Sequence, residues 1–160
     1  MGIVPSMIRG WRNNPVTDRD WSSIKCYYST GEASQFEDYS WLTNNGETPV
    51  IEYCGGTEIG GGYISGSLVQ QQKLCFFSTP CLGVRVCLRD DFEDWVPEGE
   101  EGEGEVFLEG PSLGLSLSLI NYDHEKVYFT NSPPSPFDSS ITLRRHGDRL
   151  VRDAEGYYQV

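Results

Sequence analysis

Four leucines at every second position, Leu113, Leu115, Leu117 and Leu119, are separated only by Gly114, Ser116 and Ser118. Successive side chains of a strand point to opposite faces, so this spacing gathers the leucines on one side and the small residues on the other. A helix needs apolar spacings of three and four, and here the spacing is two. The run Leu82-Gly-Val84-Arg-Val86-Cys-Leu88 repeats the pattern. Two such stretches predict sheets pressed together. The expected fold is all-β: a single-domain antiparallel β-sandwich of jelly-roll type, or a flattened β-barrel, over residues 22–160. Residues 1–21, with Pro5, Gly10 and Pro15 and no sustained period, read as an irregular N-terminal arm. The expected core is Leu74, Phe76, Val84, Val86, Phe107, Leu113, Leu115, Leu117, Val127, Phe129 and Leu143.

Several local signals fill in this frame. Ser34-Gln-Phe-Glu37 has the form of a capping box for a helix carrying Phe36, Tyr39 and Leu42. Asn45-Gly46 is a favoured two-residue hairpin turn, and it sets Trp41 opposite Val50 and Tyr39 opposite Glu52. The pairing favours the hairpin. A turn at Thr79-Pro80 would put Phe77 opposite Leu82, with Cys75 on the core side and Cys81 and Cys87 on the other. A loop at His146-Gly147-Asp148 would align Leu143 with Val151.

Charge is concentrated rather than spread. The chain has 24 acids and 12 bases, net charge -12, and ten of the acids lie between Asp90 and Glu109 with no Lys or Arg among them. The part at about 97–105 has almost nothing apolar to pack and reads as a mobile acidic loop. Arg144, Arg145, Arg149 and Arg152 are its natural counter-charges. Long-range repulsion from this net charge opposes nucleic acid.

The chemistry-bearing residues are sparse. Cys81 and Cys87 lie six residues apart on one expected strand, ~20 Å at ~3.3 Å per residue, too far for a disulfide. No Cys-x2-Cys pair supports zinc, so neither a metal nor another cofactor is expected, and a pairing of Cys26 or Cys54 stays open. The run Gly55-Gly-Thr-Glu-Ile-Gly-Gly-Gly62 lacks the lysine of a phosphate loop and reads as a bulged or tightly turned β connection. His124 and His146 both fall in expected turns, where histidines are mostly exposed and inert, and no motif of nucleophilic catalysis is present. No catalytic residue is expected.

Aromatic residues are the fuller resource. Trp11, Trp21, Trp41 and Trp95 are the candidate binding residues, since aromatic faces beside polar side chains serve both protein interfaces and carbohydrate stacking. Met1-Gly2-Ile3-Val4-Pro5-Ser6 matches an N-myristoylation acceptor, which makes Gly2 a candidate lipidation site. With no apolar signal segment and no membrane span, the expected location is intracellular, cytoplasmic or membrane-associated; a mature secreted chain fits the same features. The function expected from these features is a non-enzymatic binding or assembly module for a protein partner. The alternatives are a lectin-like glycan binder and a small β-barrel enzyme or binder of an apolar ligand. A peripheral membrane contact and a homo-oligomer are compatible with either.

Overall fold

The computed structural model describes residues 1–44, 47–112 and 114–160. Among the described residues, two sheets and three α-helices make up a mixed α/β fold, not the expected all-β sandwich. In the first sheet, β1 (Gly2–Ile3), β2 (Tyr27–Ser29) and β3 (Val50–Gly56) run parallel. Antiparallel β4 (Gly61–Ser65) and β5 (Thr79–Pro80) complete it. In the second, β6 (Arg85–Arg89), β7 (Gly102–Glu109), β8 (Arg144–Arg152) and β9 (Tyr158–Gln159) are antiparallel throughout. Phe77 and Tyr158 exchange backbone hydrogen bonds of 2.8 Å and join the two.

Parallel strands cannot be joined by tight turns, and their crossovers are normally helical. That requirement places helices where sequence periodicity was read as arm and hairpin. Helix α1 (Pro5–Asn13) fills the β1-to-β2 connection, with Pro5 at its first position, where the missing N–H costs nothing. Helix α2 (Phe36–Asn44) fills the β2-to-β3 connection and buries Tyr39 and Leu42. The capping-box reading therefore prevails over the hairpin, whose Asn45-Gly46 turn lies outside the described residues. Ile3, Ile8, Tyr27, Tyr39, Leu42, Val50 and Cys75 form the core between helices and sheet. Asp38, fully buried on α2, accepts a 3.1 Å hydrogen bond from Arg9 Nε of α1. Arg12 Nε lies 2.9 Å from its other oxygen, an ion pair off the hydrogen-bonding axis.

The leucine ladder is not a strand. Among its described residues, Leu115 packs against the core of the second sheet, but Leu117 is almost fully exposed. Leu113 lies outside the described residues. Among the described residues the alternation finds no partner strand, because the segment after β7 lies over the Thr57–Ile59 turn. Ser116 N–H donates to the Glu58 carbonyl at 2.7 Å. Gly114 sits so close to Gly60 that a Cβ on Gly114 would stand 2.7 Å from the Gly60 Cα. Val127 and Phe129, expected in a core strand, lie in and just after α3 (His124–Tyr128), whose N-cap Asp123 accepts from Lys126 N–H. Leu82 is fully exposed, Thr79-Pro80 is β5 rather than a turn, and β8 runs unbroken through His146–Asp148. Gly147 takes φ of +100° there, near a register irregularity against β7. Phe107 and Leu143 are fully buried. All five cysteines are free.

The acidic segment is paired along much of its length. Glu103, Glu105 and Glu109 stand on β7; Arg149 Nη2 meets Glu103 at 3.1 Å, Arg145 Nε meets Glu105 at 2.9 Å and Arg85 Nη1 meets Glu109 at 2.9 Å. Buried Arg152 donates to the carbonyls of Pro97 and Glu100 and, at 3.3 Å, to Tyr158 Oη. It thus holds the turn before β7 by charge-assisted hydrogen bonds, each stronger than a neutral one. Replacing Arg152 with Leu is expected to destabilise the fold by about 2 kcal/mol, since two part-buried carbonyls and the buried Tyr158 hydroxyl lose their charged donor. Arg152→Lys should recover less than half, because one ammonium cannot reach diverging acceptors. Urea denaturation measures both; a loss below about 0.5 kcal/mol for Arg152→Leu would contradict this role.

Candidate functional site

Open α/β sheets place ligand crevices at the carboxyl ends of their parallel strands, where the order of connection changes. Here β2 and β3 are parallel, while β3 pairs antiparallel to β4 on its other edge. Just there lies a cavity of about 280 Å³, lined by the loop from Ser29 to Ser34, by Glu52 to Gly55 of β3, by Cys75 and Phe77, and by Asp148 of β8. The cavity thus spans both sheets.

Its walls are built from short-range chemistry. Ser29 Oγ and Tyr39 Oη are hydrogen-bonded in the interior, tying the end of β2 to α2. Gly31 turns the loop with φ of +90°. Glu32 then accepts from Ser6 N–H at 2.9 Å and Ser6 Oγ at 2.8 Å, which anchors the loop to the first turn of α1. Gly55 is required by the close approach of β4: a Cβ there would stand 2.0 Å from the Gly61 carbonyl oxygen. The glycine run is therefore a bulged β connection through a 3-10 turn, with Gly60 left-handed.

Of the three carboxylate side chains lining the cavity, Glu32, Glu52 and Asp148, the last two are in opposite electrostatic states. Glu52 is buried, and desolvation raises its pKa above the ordinary carboxylate range although its Oε1 accepts from Cys75 N–H at 3.0 Å. Asp148 is partly open to solvent and its pKa is lowered, first by the hydrogen bond from His146. His146 Nε2 lies 3.0 Å, Tyr63 Oη 3.2 Å and Cys54 Sγ 3.4 Å from the same oxygen, Oδ2. An ionised carboxylate only accepts, so all three donate. Burial pushes the Cys54 thiol up to about 11 and raises Tyr63 as well, so both keep their protons at neutral pH.

His146 is not an exposed turn residue. Its side chain is 5% exposed, lies against the Tyr63 ring at 4.3 Å, and turns Nδ1 toward Glu58 at 3.9 Å. His124 contacts the Ser116 carbonyl at 2.8 Å through Nε2 and stacks on Tyr128. Trp11, Trp21 and Trp41 each pack against the helix-and-sheet core, with Trp11 and Trp21 edge to face at 5.2 Å. Trp21 and Trp41 line a separate hollow of about 240 Å³ that shares no residue with the Asp148 cavity. Trp95 stands apart on the second sheet, edge-on to Phe107 at 5.8 Å. Gly2 lies in β1, paired with Tyr28. Among the described residues no group of three or more His, Cys, Asp or Glu is placed to hold a metal ion, and no helix is long and apolar enough to cross a membrane.

Sequence reasoning missed Asp148, Glu52 and the Ser29–Ser34 loop. The available signals were Thr30-Gly31 directly after an apolar strand and a His-Gly-Asp run at i and i+2, which a strand puts on one face.

The likeness is to acyl-activating enzymes. The chain is 46% identical, over its whole length, to a probable peroxisomal acyl-activating enzyme 17 of Arabidopsis thaliana, and 41% identical to a hexanoyl-CoA synthase of Cannabis sativa. It spans 22% of the length of each of these curated relatives. No family model matches. Among solved structures, an anthranilate CoA ligase in complex with anthranoyl-AMP superposes with a TM-score of 0.77 at 23% identity, over 99% of this chain and 28% of that one, a likeness of fold. Relatives described as enzymes of small-molecule activation overturn the expectation of a non-enzymatic binding or assembly module. The lectin-like, jelly-roll and β-barrel alternatives fall with it, as do the protein and glycan partners. Trp11, Trp21, Trp41 and Trp95 are all partly buried and pack against the cores, none of them on the wall of the Asp148 cavity.

Ionising Glu52 costs more in the fold than in the unfolded chain. Stability is therefore lost as pH rises through its folded pKa, and the penalty vanishes below its unfolded value of about 4.3. Glu52→Gln is expected to raise the melting temperature at pH 7.5 and to leave it unchanged near pH 4. Equal melting temperatures at pH 7.5 would contradict the buried charge.

Proposed function

We propose that these 160 residues form the adenylate-holding part of an acyl-activating enzyme. The observation that carries the reading is an ionised Asp148 reaching from β8 into a cavity at the carboxyl ends of β2 and β3. The solved relative bound to an acyl-AMP and the acyl-CoA-forming plant relative support it. An acyl-AMP arises when a carboxylate oxygen attacks the α-phosphorus of ATP and the bond to pyrophosphate breaks. The coenzyme A thiol then attacks the acyl carbon, gives up its proton, and AMP leaves. ATP, a carboxylic acid and coenzyme A are thus the proposed substrates.

The cavity suits the nucleotide in one orientation. A carboxylate repels phosphate and accepts from hydroxyls, so Asp148 faces the ribose diol. The flat base lies on the side of the Ser29–Ser34 loop and β3, across the cavity from β8. The peroxisomal description of the Arabidopsis relative supports an intracellular, peroxisomal location.

Isothermal titration of AMP into the full-length polypeptide carrying these residues tests the reading. Asp148→Asn should weaken AMP at least tenfold, about 1.4 kcal/mol, and hexanoate- and coenzyme A-dependent AMP formation should fall with it. An absence of AMP binding, or an affinity indifferent to Asp148→Asn, would overturn the proposal.

A further inference from the structure

We infer that His146, with Tyr63 and Cys54, is a positioning seat for Asp148 that sets how sharply the site separates ribose from deoxyribose nucleotides. The inference rests on the adenylate reading above and assigns roles to three residues that do not themselves touch the nucleotide sugar.

The argument is one of geometry. A carboxylate on a strand facing a cavity rotates about two side-chain torsions and ordinarily offers either oxygen. Here three donors from three strands converge on one of them: His146 Nε2 of β8 at 3.0 Å, Tyr63 Oη of β4 at 3.2 Å and Cys54 Sγ of β3 at 3.4 Å, all to Oδ2. Oδ2 is thereby committed to the protein, and Oδ1 is the oxygen left to the cavity. His146 is itself immobilised: its ring is nearly buried, packs on Tyr63 at 4.3 Å, and is brought back to Asp148 by the left-handed Gly147 between them. Among the described residues Nδ1 has no hydrogen-bond partner, so the hydrogen bond that orients the ring is the one from Nε2 to Asp148. A carboxylate held this way presents a fixed acceptor, and a misplacement of about 1 Å is enough to lose much of a directional contact. A loosened one still carries charge but no longer selects a hydroxyl at a defined place.

The test compares AMP with 2′,3′-dideoxy-AMP by isothermal titration in the full-length polypeptide, for wild type, His146→Ala, His146→Gln and Tyr63→Phe. Wild type is expected to prefer AMP at least thirtyfold. His146→Ala should cut that preference to within about threefold by losing AMP affinity, with dideoxy-AMP affinity held within twofold. Gln places an amide N–H near the position of Nε2, so His146→Gln should restore most of the preference, and Tyr63→Phe should lose part of it. A purely structural role would weaken both ligands together and leave the ratio alone. That result, or full preference in both His146→Ala and Tyr63→Phe, overturns the inference while the adenylate reading stands. If His146→Ala fails to fold, Tyr63→Phe and His146→Gln decide between the same outcomes. If wild type binds neither ligand, both inference and reading fall.

Discussion

Strand β3 has a parallel neighbour on one edge and an antiparallel neighbour on the other, and the rest of the structure follows from that change. Parallel pairing with β2 demands a helical crossover, which is α2. Antiparallel pairing with β4 demands a tight return, which the glycines at 55–56 and 60–62 supply by letting two backbones nearly touch. Between the two arrangements the carboxyl end of the sheet cannot close. The cavity is the space left over, and its floor is β3 itself from Glu52 to Gly55.

The second sheet makes that space chemically specific. It is held together by opposite charges across three strands, Arg85 directly opposite Glu109 and Arg145 and Arg149 diagonal to Glu105 and Glu103 of β7. Exposed pairs of this kind contribute little singly, and their number along one strand matters more than any one of them. They fix where β8 runs, and β8 carries His146 and Asp148 toward the first sheet. Buried Arg152, near the far end of the same strand, pins the turn that leads into β7. The strongly acidic stretch is therefore a structural counterpart to the arginines of β8.

The period-two signal was legible where both faces of a strand found neighbours. Val86, Leu88, Phe107 and Leu143 join the second sheet and its cores. It failed at Leu115–Leu119, where the same alternation meets the Thr57–Ile59 turn instead of a strand edge, and the outcome depends on a contact some 55 residues away along the chain. The short parallel strands were illegible for another reason: β1 and β2 span two and three residues, too few for any period to register. The site was harder still. Asp148, Tyr63 and Cys54 are spread over almost a hundred positions, and only the crossing of two sheets brings them to one oxygen. His146 looked like a turn residue because Gly147 follows it, whereas that glycine accommodates an irregularity inside a continuous strand.

Backbone amide NMR of the full-length polypeptide, titrated with AMP, tests most directly that the seam between the two sheets is the ligand site. Shifts concentrated at Ser29–Ser34, Cys54, Gly55 and Asp148, with Trp21 and Trp41 unmoved, are the predicted result. Shifts confined to the tryptophan hollow, or none at saturating AMP, would contradict it.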